Sequence, residues 1–73
     1  VKIKFTLHAL EQMRARTIDE QEILDAINIP EIIVKRYGRH HFKRTINRGV
    51  LEVVCEKTEN HINIITIFFE KWK

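Results

Sequence analysis

A single cysteine, Cys55, excludes an intrachain disulfide and any multi-cysteine zinc site. It lies in the apolar run Val53-Val54-Cys55, where a thiol is expected as a small buried hydrophobe. No apolar run approaches the roughly 20 residues that span a bilayer, so no membrane partner is expected. The opening Val1-Lys2-Ile3-Lys4 resembles neither a secretory signal nor a transit peptide, which makes a cytoplasmic protein the expectation. There is no P-loop, GxGxxG, HExxH or GxSxG. Carboxylates gather only at Asp19, Glu20, Glu22 and Asp25, where a helix start and a solvated face account for them. Neither a metal site nor a cofactor is expected.

Acidic residues are also missing from one whole stretch. Between Ile32 and Leu51 there is none, while Lys35, Arg36, Arg39, Lys43, Arg44 and Arg48 all fall there, with His40 and His41. The net charge is only +3, so the rest of the chain is acidic on balance. A basic segment on an otherwise acidic chain points to a polyanion such as RNA, or to an acidic protein that mimics one. A solvated hairpin face is the plainer account of the same charges.

What is present suits one small α+β domain covering residues 1–73. The hydrophobic fraction of 44% and charged fraction of 32% are those of a folded chain. Val1 to Phe5 alternates as a short strand or an extended lead-in. Thr6 caps a helix from Leu7 to about Arg14, with Ala9 and Met13 on its core stripe and His8, Gln12 and Arg16 on the next. Thr17 and Glu20 fit a capping box for a second helix, which buries Ile23, Ala26 and Ile27 and which Pro30 ends. From Glu31 onward the period becomes strand-like: Glu31 to Tyr37, His40 to Ile46, Val50 to Lys57 and His61 to Trp72. Asn47-Arg48-Gly49 supplies a tight turn. Short connections between successive strands imply antiparallel pairing. The expected architecture is therefore two N-terminal helices packed on one face of a three- to four-stranded antiparallel sheet. The last strand reads as apolar on both faces, as a central strand or one covered by a partner would.

Histidine is the residue type most open to chemistry. His40 and His41 are adjacent on a strand, so they point to opposite faces and suit a surface or phosphate-facing role. His61 sits at a turn with no expected role. His8 falls two residues after the Thr6 cap, near the positive end of the helix dipole, where a neutral imidazole is the better-tolerated form. It can serve as a general base or phosphate donor, or simply pin the helix to the sheet. Thr66 interrupts the run Ile64-Ile65-Thr66-Ile67-Phe68, and its hydroxyl either bonds locally or faces a site.

The string Phe5-Thr6-Leu7-His8-Ala9-Leu10-Glu11-Gln12-Met13-Arg14-Ala15-Arg16-Thr17-Ile18 resembles the N-terminal signature of the domain-of-unknown-function family 4258. That pattern reads approximately S/T-x-H-A-x-x-R-M-x-x-R-G-I-S and closes with I-T-V. His8, Ala9, Met13, Arg16, Ile18 and Thr66 coincide with it, and the match continues through Val50–Val54 and Ile64–Ile67. Gln12 stands where arginine is usual, and Thr17 where glycine is common. The family's arrangement resembles the RelE-like and barnase–colicin group of small ribonucleases. The resemblance implies a metal-independent endoribonuclease of the toxin type, with His8 as base or acid and Arg16 and Arg44 on the phosphate. Thr66 and Lys43 would be supporting donors. Gln12, Lys35, Arg36, Arg39, His41, Lys43 and Arg48 would form the nucleic-acid surface, which an acidic antitoxin could cover. Two other readings stay open: a non-catalytic nucleic-acid- or protein-binding module, with Tyr37 and Phe42 stacking bases, and a homodimer formed through the apolar last strand.

Overall fold

The computed structural model describes residues 2–72. Strand β1 (Lys2–Phe5) leads into helices α1 (Leu7–Arg16) and α2 (Glu20–Asn28). Four strands follow: β2 (Ile32–Arg36), β3 (Arg39–Ile46), β4 (Gly49–Lys57) and β5 (His61–Lys71). They form one five-stranded sheet in the order β1-β5-β4-β3-β2. This corrects the expected three- to four-stranded antiparallel sheet. The sheet is mixed, because β1 pairs parallel to β5, and strands outweigh helices along the chain. The helices carry the chain from edge strand β1 to the opposite edge strand β2, and β3 and β4 return it to β5 beside β1, the long connection that a parallel pair requires. No helix among the described residues is long and apolar enough to cross a membrane.

Both helices are held by their ends. The Thr6 hydroxyl accepts from the backbone N–H of Ala9, as an N-cap does. The second capping box is not the expected one: Asp19 is the N-cap and Glu22 the reciprocal partner. Thr17 instead ends α1 in the left-handed region, at φ 54° and ψ 50°. Glycine costs least there, a physical reason for glycine to be common at that place in the pattern.

The core is one cluster of Ala9, Ile18, Ile23 and Ala26 from the helical segment against Phe42, Leu51, Val53, Cys55, Ile64 and Ile67 from the sheet. Directly opposed residues of neighbouring strands share a face. The registers Phe42↔Val53, Arg44↔Leu51 and Val53↔Ile67 therefore define the helix-covered face. Phe42, expected to stack bases, is buried in this core at 3% exposure. Cys55 is fully buried, and burial raises its pKa although Lys57 opposes the shift. Gly49 opens β4 where a Cβ would collide with the Glu70 carbonyl oxygen, so close strand approach excludes any larger residue there.

Candidate functional site: an open cationic groove

Among the described residues, no helix covers the other face of the sheet. The registers Val34↔His41, Arg36↔Arg39, Lys43↔Glu52, His41↔Val54 and Val54↔Thr66 place these side chains together on it. They form a shallow groove of about 470 Å³ lined by Arg36, Tyr37, Arg39, His41, Val54, Thr66 and Phe68. A smaller hollow of about 180 Å³ adjoins it, sharing Arg36 and His41 and adding Val34, Lys43 and Glu52.

Thr66 reaches this face through an irregularity in β5. Cys55 pairs with Ile64 and Val54 with Thr66, so Ile65 is an extra residue, a β-bulge. Strict alternation after Ile64 would turn Thr66 into the core and Ile67 out of it. The bulge reverses that phase, burying Ile67, packing the half-buried Phe69 against the core and releasing Thr66 and Phe68 to the open face.

The same bulge receives helix α1. The parallel ladder ends at Phe5↔Ile64, and the Thr6 N–H then donates to the Ile64 carbonyl. The Thr6 hydroxyl donates to the Ile65 carbonyl at 2.9 Å while capping α1. Two residues later, in the first helical turn, His8 Nε2 lies 3.0 Å from Thr66 Oγ1. The rim of the groove thus gains an exposed imidazole from the other end of the chain.

Across the groove, His41 Nδ1 lies 2.8 Å from Glu52 Oε2. That contact assigns Nδ1 to the carboxylate and leaves Nε2 as the nitrogen free for a ligand. Lys43 Nζ approaches the other oxygen of Glu52 at 3.6 Å. Arg36 and Arg39 face each other at the β2–β3 hairpin, are exposed, and make no ion pair among the described residues. The hairpin turn is Tyr37-Gly38, with φ of 52° and 75°.

The remaining sequence candidates lie elsewhere. Arg16 sits two turns along α1 from His8, about 12 Å by helix geometry; its Nε donates to Gln12 Oε1 at 3.3 Å. It borders a separate depression with Ala15, Thr17, Phe69 and Lys71. Arg44 lies on the helix-covered face, where Nη1 donates to the Ile29 carbonyl at the end of α2. Arg48 donates to the Thr17 carbonyl and pairs with Glu22 at 3.0 Å, and its guanidinium lies over the Phe69 ring. Lys35 is on the helix side, opposite His40. Glu52 and Phe68 were not singled out from sequence. The Asn47-Arg48 turn holds the signal for Glu52, since a two-residue hairpin there forces Lys43 opposite Glu52.

His40 lies on the helix-covered face, opposite Lys35 and Cys55. Its Nδ1 is buried without a hydrogen-bond partner, and its ring stacks on Phe42. Its pKa is lowered, first by burial and then by the charges of Lys57 and Lys35.

Fold and site together define a strand-dominated, mixed five-stranded sheet with one helix-covered face and one open, cation-lined face. The chain belongs to the family described as Domain of unknown function (DUF4258), whose model matches residues 5–69. No curated protein and no solved structure matches the chain.

Proposed function

We propose that the protein is a metal-independent endoribonuclease of the toxin type that cuts RNA in the open groove. The observation that carries this reading is the His8–Thr66 contact at the rim of a groove that also holds His41, Arg36 and Arg39. Transesterification of RNA needs a base, an acid and cations, and these side chains are of the right types.

In the reaction, His8 Nε2 takes the proton of a ribose 2′-hydroxyl, whose oxygen forms a bond to the adjacent phosphorus. The bond from phosphorus to the 5′ oxygen breaks, and that oxygen takes a proton from His41 Nε2. The products are a 2′,3′-cyclic phosphate and a 5′-hydroxyl. The substrate hydroxyl replaces Thr66 Oγ1 as the hydrogen-bond partner of His8 Nε2. Glu52 holds the His41 ring, and Arg36 and Arg39 stabilise charge on the phosphorane in place of Arg16 and Arg44. Each positioned acid or base is worth about 10²–10⁴ in rate, and cations aimed at developing charge often contribute more. An acidic antitoxin segment in the cytoplasm would compete for the same guanidiniums.

The deciding experiment is cleavage of single-stranded and ribosome-bound RNA in EDTA by the wild type and by His8→Ala. Cleavage that survives chelation and is lost in the variant supports the proposal. A folded protein that binds RNA and cuts none of it in either setting overturns catalysis and leaves the binding module. That second reading is favoured by the exposed Arg36, Arg39 and Tyr37, which suffice to hold RNA without chemistry.

A further inference from the structure

Tyr37 occupies an expensive position. It is the first central residue of a two-residue hairpin turn, with φ of 52°, and Gly38 follows at 75°. Turns with both central residues at positive φ favour Asn-Gly, and a bulky side chain there is an outlier. Yet the Tyr37 side chain packs against nothing, since the residue is 98% exposed. Neither the turn nor the core accounts for an aromatic ring at this place. Backbone strain without a packing return points toward function.

A second ring faces the same groove. Phe68 is 55% exposed on the open face. A large apolar side chain left in water is common singly, but here it shares a concave surface with Tyr37 and two guanidiniums that make no ion pair among the described residues. Flat apolar rings beside cations match a ligand that alternates flat π-systems with phosphates. An acidic peptide would satisfy Arg36 and Arg39 but would give the rings nothing flat to meet. A duplex would satisfy them as well, but its bases are already stacked on one another and keep their faces inside.

We propose that the groove selects single-stranded RNA by stacking a nucleobase on Tyr37 and Phe68 while Arg36 and Arg39 hold the neighbouring phosphate. This rests on the groove being the RNA site, and it does not depend on the site being catalytic. The binding free energy then divides into a salt-sensitive part from the arginines and a salt-tolerant part from the rings.

The test uses the full chain and probes that it cannot cut: a 2′-O-methyl single strand, its duplex, the same strand with abasic sites, and poly-glutamate. Fluorescence anisotropy should give the intact single strand an affinity about tenfold or more above the duplex and the abasic strand. Phe68→Ala and Tyr37→Asn should each remove most of that margin while leaving the weak abasic binding unchanged. Tyr37→Asn should at the same time raise the melting temperature, because asparagine suits the turn. Equal affinity for intact and abasic strands, or tightest binding of the duplex or of poly-glutamate, overturns the inference. Cleavage plays no part in this readout, so a failure of catalysis and a failure of base stacking are separately visible.

Discussion

His8 and Thr66, 58 residues apart in the chain, lie 3.0 Å from each other because β5 carries one extra residue just before Thr66. The bulge at Ile65 performs two tasks. It turns Thr66 out of the core, and it offers the carbonyl that takes the Thr6 hydroxyl and seats α1.

Deletion of Ile65 separates these tasks from the core. Without the extra residue the strand is regular, and Ile64, Ile67 and Phe69 keep their inward faces. The variant should fold, with a loss of about 1 kcal/mol for the Thr6 bond. Cleavage should fall about 100-fold or more as His8 loses its station. Urea melts and single-turnover cleavage measure the two effects, and full activity in a folded deletion would remove the bulge from the mechanism.

Glu52→Ala should leave His41 in the groove without its holder. We expect a drop of about 10- to 100-fold in the single-turnover rate, comparable to the loss of an orienting partner elsewhere. RNA affinity should hold or rise, since a negative charge has been removed beside Lys43. A loss in affinity with an unchanged rate would assign Glu52 to the scaffold alone.

The arginines should divide into two sets. Arg44→Ala and Arg48→Ala remove contacts to the two helices and should lower stability, each by about 1 kcal/mol. Their RNA affinity should not change. Arg36→Ala and Arg39→Ala should leave the melting point alone, weaken RNA binding, and each lower the slope of log affinity against log salt by about 1. Parallel melts and salt titrations of the four variants test the division.

His40 gives stability a dependence on pH. Its folded pKa is lowered, so the unfolded chain takes up a proton at a higher pH than the folded one. That contribution is intact above the unfolded value of 6.5 and is lost as pH falls through the folded value. The wild type should therefore melt at lower temperature on acidification from about pH 7 to about pH 5. His40→Phe, which keeps a ring against Phe42 but cannot titrate, should show a smaller drop. An equal drop in both would move the effect to other groups.

Local signals in the chain describe local structure well. Thr6, Pro30 and the stripe of Ile23, Ala26 and Ile27 mark the helices because caps, ring closure and periodicity act within a few residues. The tight turns likewise announce the β2–β3–β4 hairpins. The pairing of β1 with β5 is silent, since a parallel partner two helices and three strands away leaves no trace at either strand. The bulge is silent too, and it misleads: Ile62, Ile64, Ile67 and Phe69 share one face through a change of phase, which strict alternation reads as apolarity on both. Arg44 and Arg48 look like phosphate ligands in a list of charges. Only the third dimension shows them occupied with the Ile29 carbonyl and Glu22.

Because β1 pairs with β5, the order of synthesis has a chemical consequence. The hairpins that carry Arg36, Arg39 and His41 can form before β5 exists, as neighbouring segments pair early. His8 has by then been made but has no Thr66 to meet and no Ile65 carbonyl to anchor its helix. A nascent chain on the ribosome thus displays the exposed guanidiniums of Arg36 and Arg39 before it holds the His8–Thr66 pair. The cationic face is translated first, and the contact that joins it to α1 becomes possible only with β5.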